Sequence, residues 1–340
     1  FCGDAACVTV MGQSGGGNKL MALMAMPAAR GLFHRAINLS GVSGLHLAQP
    51  RDTLPYVHEF LRRLDIGAGD LTRLYALPAD VLQRARQAAM VAVRGDGGQP
   101  VVDGRHIVAS PFSAQGLALQ AQVPLLMGST DTESTLFLCR DPLNLDIDEA
   151  ELLARIEAEF GLDSAQARAL TAAYREQADV RSTTQVLVQL TSDLLTRTHL
   201  IRAAEAKAQA GAAPVYFYNF AWPVQGDGGR WGSPHTADIP FVLGTLEAAR
   251  CLTEPNHGEA DDLSRRMMGA VVAFARSGDP NHDGLPPWAP YDAQRRPTMV
   301  FDRQCRVVDD HRAAGRIASA PLAVWPATRL LRRPLFRGVR

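Results

Sequence analysis

Residues 8–25 read VTVMGQSGGGNKLMALMA: a β-branched run, a serine set among glycines, and an apolar helix former in immediate succession. Gly12-Gln13-Ser14-Gly15-Gly16 is a G-x-S-x-G pentapeptide, and its setting predicts a sharp strand-to-helix turn that forces Ser14 into a strained, exposed position. The flanking glycines are expected because a side chain would clash in so tight a turn. The following helix directs its free N–H groups and the positive end of its dipole at the serine, where an oxyanion would form.

The rest of the chain repeats the strand-then-helix pattern. Residues 1–12 are expected to hold a short strand, and residues 15–30 a helix closed by Pro27 and Gly31. Ala36–Ser40 is a second strand candidate, ended by Gly41. From 50 to 95 the pattern is helical and Arg-rich, with Val57, Phe60, Leu61 and Leu64 near 3.6-residue spacing. Val123–Gly128 reads as a short buried strand, 148–210 as two or three amphipathic helices, and Pro214–Phe220 as the clearest strand by β-propensity. A helix over 262–277 is stopped by Gly278, Asp279 and Pro280. Such alternation predicts an α/β protein whose mixed, mostly parallel sheet is covered by helices on both faces.

Composition narrows the function classes. The chain is 46% hydrophobic and 21% charged, ordinary for a soluble globular protein. Lys+Arg and Asp+Glu both total 35, so nucleic acid binding has no electrostatic footprint. No apolar run approaches the roughly 18 residues that span a bilayer. Cys2, Cys7, Cys139, Cys251 and Cys305 are scattered without a C-x-x-C pair, which speaks against a zinc site or a disulfide framework and favours a reducing, cytoplasmic compartment. One disulfide stays open, as do secretion and the periplasm, because anything upstream of Phe1 is not part of this sequence. The arginines at 329, 332, 333, 337 and 340 read as a solvated tail. Asp279-Pro280-Asn281-His282-Asp283-Gly284 looks like the opening of a calcium loop, but the residue needed as its bidentate Glu is Pro290, so it reads as a turn.

A serine hydroxyl needs a base to take its proton and an acid to orient that base. Nine histidines compete. His34, His58 and His199 lie in helical patterns, whereas His235 sits in the breaker-rich loop Gly232-Ser233-Pro234-His235-Thr236-Ala237-Asp238, the kind of segment that carries catalytic bases. For the acid, the strand ending near Met127 runs into Gly128-Ser129-Thr130-Asp131-Thr132-Glu133. Both Asp131 and Glu133 fall just past a strand's carboxyl end, where open α/β sheets gather their sites.

Five segments in order, FCGDAACVTVMGQSGGG, GLFHRAINLSG, VPLLMGSTDTESTLFL, SPHTADIPFVLG and SGDPNHDGLPPWAPYD, resemble the type-B carboxylesterase/lipase family, which includes bacterial para-nitrobenzyl-type esterases and cholinesterases. The resemblance runs from residue 1 to about residue 316 and implies an α/β-hydrolase fold, with an Arg-rich tail over 317–340. It implies Ser14 as nucleophile, Glu133 rather than Asp131 as acid, and His235 as base, with the Gly15 amide in the oxyanion hole. Ser40 either supports the buried network behind this triad or simply ends a strand, and Asp238 is a further supporting candidate. Leu136 and Phe137 fall where the family's substrate gorge is lined; leucine rather than an aromatic at 136 argues against choline esters. The implied activity is ester hydrolysis of a small molecule without metal or cofactor, with carbamate or amide hydrolysis, or a non-catalytic binding role, as alternatives.

Departures from the family pattern are Cys2 for Gly, Gly15 for Ala and Ser134 for Gly. The H-G-G-G-type loop that completes the family's oxyanion hole does not occur in these 340 residues, and one lost oxyanion donor costs about 10²–10³ in turnover. The chain therefore reads as an N-terminally incomplete part of a longer enzyme, with a truncated, inactive product as the alternative. Residues 7–11 are then expected to form an exposed apolar sheet edge.

Overall fold

Residues 3–42, 47–93, 99–144, 146–177, 179–224, 229–253, 257–323 and Leu335 are described by a computed structural model. Six strands form one sheet in sequence order: β1 (Thr9–Gln13), β2 (Arg35–Leu39), β3 (Leu125–Thr130), β4 (Val215–Phe220), β5 (Pro297–Phe301) and β6 (Arg306–Asp309). The first five are parallel and β6 closes antiparallel on β5. Consequently the carboxyl ends of β1 to β5 lie along one edge of the sheet.

Side-chain alternation along the central strands explains the layers, since successive residues face opposite sides. Ile37, Leu39, Leu126, Tyr216, Tyr218 and Phe220 look one way, onto Leu263, Met267 and Phe274 of the helix His257–Ser277. Ala36, Leu125, Met127, Val215 and Phe217 look the other way, onto α1 (Gly15–Met24) and the helix Thr198–Ala210. Both faces are apolar, as a parallel sheet covered on both sides requires. A separate cluster built on Leu152, Ile156, Leu170, Val186 and Leu190 joins the helices Glu149–Phe160, Ser164–Arg175 and Thr183–Ser192. With Thr198–Ala210 they make four helices over 148–210 where two or three were expected, the last two joined without a break through a single π turn at Asp193–Arg197. No described helix is long and apolar enough to cross a membrane.

Several boundaries differ from the sequence reading. The first helix ends at Met24 rather than residue 30, because Met26 precedes Pro27 and is held extended; Pro27–Ala29 then form only a 3₁₀ turn. His34 lies in no helix; it sits just ahead of β2, where its Nδ1 accepts the Val8 N–H at 3.2 Å. The region expected to be helical over 50–95 is two helices, Pro50–Arg63 and Ala79–Val93, separated by a 3₁₀ segment at Leu71–Ala76. β5 and β6 were not foreseen: β5 is a five-residue PTMVF opening on proline, and β6 a four-residue RVVD. The helix Ala313–Ser319 runs across residue 316. Cys2 and most of the Arg-rich tail lie outside the described residues. Cys7, Cys139, Cys251 and Cys305 are free thiols. β1 pairs only with β2 among the described strands, and Met11 on it is 42% exposed. Asp279–Gly284 is a turn in which the Asp279 carboxylate accepts from the Asn281 backbone at 2.9 Å.

A buried ionic cluster ties the helical layer and the C-terminal segment to the loop after β3. Arg312 donates from Nε and Nη2 to both Asp131 oxygens at 2.8 and 2.6 Å. Arg197 Nη1 stands 3.8 Å from the same carboxylate, and Gln189 donates to it at 3.0 Å. Burial opposes ionisation of Asp131, but the charges of Arg312 and Arg197 and the Arg312 hydrogen bonds outweigh it and hold the carboxyl well below the usual range. His311 beside it is pushed down to about 3, chiefly by burial, and stays neutral. Removing one partner of a buried pair strands the other charge, so Arg312→Met is expected to lower the unfolding free energy by about 3–5 kcal/mol, measured by urea unfolding. Adding Asp131→Asn should recover part of that loss, because the buried side chain left behind then carries no charge; the other carboxylate on Arg312, Asp179, is solvent-exposed.

Candidate active site

β1 ends at Gln13, and α1 begins at Gly15. Between them Ser14 takes φ 52° and ψ −119°, a backbone conformation an L-residue occupies only when its surroundings over-determine it. The Ser14 N–H donates to the Leu39 carbonyl at 2.8 Å, and its carbonyl accepts from Asn18 at 2.9 Å, so the elbow is pinned to β2 on one side and to α1 on the other. A Cβ at Gly12 would lie 2.5 Å from the Gly16 backbone, which explains that glycine. The same expectation fails at Gly16, where a Cβ would meet open space. The Gly15 amide belongs to the first turn of α1, whose N–H groups lack intrahelical acceptors.

Across the sheet edge, the loop after β3 carries Glu133 with no exposed surface. Its Oε1 accepts from the Thr130 N–H at 2.8 Å and from Ser40 Oγ at 2.6 Å, and its Oε2 faces His235 Nδ1 in a direct hydrogen bond. Asp131 has its carboxylate on Arg312 instead. Of the two carboxylates that the spacing left open, Glu133 is the one that meets His235. Ser40 ends β2 at φ 56° and is buried, so it both terminates a strand and binds the acid.

The loop carrying His235 is tied to the acid loop by backbone. The Thr132 N–H donates to the Ser233 carbonyl at 3.1 Å, and Ser233 Oγ donates to the Trp222 carbonyl at 2.6 Å. His235 is 9% exposed. Burial opposes its protonation, but the charges of Glu133 and Asp238 and the Glu133 hydrogen bond outweigh that, and its pKa is raised. Asp238 is fully buried, accepts from Tyr218 Oη at 2.8 Å, and is pushed up to about 6, foremost by burial. The Phe137 ring lies 5.9 Å from the imidazole, while Leu136 is 38% exposed.

Two contributors escaped the sequence reading. Gln13 Nε2 lies 3.2 Å from His235 Nε2, whereas among the described residues the Ser14 hydroxyl makes no hydrogen bond. Ser134 Oγ donates to the Val188 carbonyl at 3.0 Å and accepts from Thr191 Oγ1 at 2.7 Å, locking the residue after the acid onto the helix Thr183–Ser192. The only sequence signal for the latter was its status as a departure from the family pattern.

A parallel sheet with a strained serine at a strand-to-helix elbow, and a histidine–glutamate pair on the same edge, is the architecture of the α/β-hydrolase fold. The chain matches the carboxylesterase family over residues 1–319 and belongs to it. The para-nitrobenzyl esterase of Bacillus subtilis (strain 168) is 30% identical over 319 residues, which cover 91% of this chain and 61% of that protein. The phenmedipham hydrolase of Pseudarthrobacter oxydans is 26% identical over 311 residues, covering 88% and 60%. Among solved structures, the Geobacillus stearothermophilus carboxylesterase superposes with a TM-score of 0.74 at 31% identity, covering 93% of this chain and 64% of that one. The chain therefore spans about three-fifths of the length of these relatives.

Ser40→Ala deprives the buried Glu133 carboxylate of one of its donors. It is expected to cost about 1–3 kcal/mol of stability, the range for an unsatisfied buried acceptor, as read by denaturant unfolding. A loss within error would mean that the Thr130 amide and His235 suffice.

Proposed function

We propose that the protein hydrolyses carboxylic esters of small molecules through an acyl-serine intermediate, with Ser14 as nucleophile, His235 as general base and then acid, and Glu133 as the group that orients the imidazole. The observation that carries this reading is His235: its Nδ1 is held by a buried carboxylate while its Nε2 faces the elbow residue next to Ser14. An ionised Glu133 obliges Nδ1 to carry the proton, which leaves Nε2 as the acceptor a serine proton needs. Membership of the carboxylesterase family supports the ester as substrate class. The reading takes residues 1–316 as one hydrolase unit, and Phe137, against the imidazole, with Leu136, as contacts for the acyl or alcohol group.

The steps follow from these positions. Ser14 Oγ attacks the ester carbonyl while His235 Nε2 takes its proton, and the Gly15 amide donates to the oxyanion. The imidazolium, stabilised by Glu133, returns the proton to the leaving alcohol. Water then attacks the acyl-serine with the same base, releasing the carboxylic acid and restoring Ser14. The amide of Gly15 and the dipole of α1 act at the place where negative charge develops, which is where a fixed donor lowers the barrier most.

With p-nitrophenyl short-acyl esters, Ser14→Ala is expected to abolish turnover and covalent labelling by a fluorophosphonate; turnover equal to the parent would remove Ser14 from the mechanism. Because the base must be neutral and its pKa is raised, kcat/KM is expected to fall with decreasing pH through a midpoint above the ordinary histidine value of about 6.5. Glu133→Gln removes the stabilising charge, so it should move that midpoint downward and cut kcat by roughly 10⁴-fold. An unmoved midpoint would show that Glu133 does not set the charge state of His235.

A further inference from the structure

The group that touches the proton-accepting nitrogen of His235 is the carboxamide of Gln13, at 3.2 Å from Nε2. Gln13 is the last residue of β1 and directly precedes Ser14. With Nδ1 committed to Glu133, the neutral imidazole has one lone pair left, and it lies in the ring plane at Nε2. A primary amide N–H and the Ser14 hydroxyl cannot both use it.

We propose that Gln13 is a latch on the general base: its amide N–H occupies Nε2 in the resting protein and must leave before Ser14 can hand over its proton. This rests on the hydrolase reading above, and makes Gln13 a positioning residue that acts through His235. The chemistry is self-consistent at each protonation state. The amide N–H stabilises the neutral ring with an unprotonated Nε2, which is the form a base requires. Once Nε2 carries a proton, the N–H₂ group opposes a donor and the contact is lost, so the latch disfavours the imidazolium. Burial also disfavours the imidazolium, and among the described side chains around the ring Gln13 is the one that adds to it by direct contact. Glu133 from the β3 loop and Asp238 from the cap of the helix Ile239–Leu243 both favour the imidazolium, and Phe137 from the helix Thr135–Leu138 is neutral. Gln13 therefore adds to burial as a counterweight to two carboxyl groups.

The test uses the full chain with Gln13→Met, which keeps side-chain length and removes the donor, and Gln13→Glu, which replaces the donor by a carboxylate. In a Ser14→Ala background, ¹⁵N NMR of His235 should report Nδ1–H with a hydrogen-bonded Nε2. Gln13→Met should shift the Nε2 resonance to that of a free imine nitrogen and raise the His235 pKa. With Ser14 present, Gln13→Met should accelerate fluorophosphonate labelling about fivefold, the equivalent of the roughly 1 kcal/mol net worth of a neutral hydrogen bond. Gln13→Glu should raise the His235 pKa by about one unit or more, as an opposite charge within hydrogen-bond reach does, and move the acid limb of kcat/KM upward with it. The latch is overturned if Gln13→Met labels at the parent rate or more slowly with an unchanged Nε2 resonance. Should Gln13→Met not fold, an unchanged His235 pKa in Gln13→Glu overturns it equally. Failure of the hydrolase reading is a separate result, seen as an unlabelled parent protein or an active Ser14→Ala, whereas a labelled parent with an unresponsive Gln13→Met removes the latch alone.

Discussion

A carboxylate with no exposed surface must find its hydrogen bonds inside the protein, and Glu133 is such a group. An unpaired charge buried this deeply would cost several kcal/mol, so the structure around it is arranged to supply donors. They come from three elements: the Thr130 amide at the end of β3, Ser40 at the end of β2, and His235 from the loop after β4. Satisfying one side chain thus aligns the carboxyl ends of neighbouring strands with a loop a hundred residues away. The positive φ values at Ser14, Ser40 and Thr236 persist because the strands, α1 and this network leave those residues no relaxed alternative.

The acid loop carries two buried carboxylates with opposite tasks. Asp131 turns toward Arg312 and Arg197, whose charges keep it ionised and bind the helical layer and the segment around residue 312 to the sheet edge. Glu133, two residues on, turns toward the imidazole. A third carboxyl, Asp238, accepts from Tyr218 and is pushed up to about 6, foremost by burial. Asp131 and Asp238 are thus shifted in opposite directions by their surroundings, the one by neighbouring cations and the other by burial. Ser134, fastened to Val188 and Thr191, ties the same loop to the helix Thr183–Ser192.

Much of this was legible beforehand, unevenly. The elbow could be read because glycines, a β-branched run and a helix former are local signals that act within a few residues. β3 and β4 were legible as compact apolar runs. β5 and β6 were not, since a strand of four or five residues opened by proline or arginine has too little periodicity to stand out. The glycine reasoning held at Gly12 and failed at Gly16, where a side chain would meet open space. Asp131 and Glu133 were indistinguishable by spacing, and family resemblance, not physics, favoured the second.

The sequence by itself determined the alternation of strands and helices, the serine at a strand-to-helix turn, and the presence of a histidine and two carboxyls in loops fit to meet it. Those are consequences of short-range propensity and of which residue types occur where. Only the tertiary structure decided which carboxylate faces His235, that Ser40 and the Thr130 amide donate to it, and that the Gln13 amide rather than the Ser14 hydroxyl lies against the imidazole Nε2. The reason is directional. Hydrogen bonds and ion pairs depend on ångström distances between atoms far apart in the chain, and those distances exist only after the sheet has set the register of its strands.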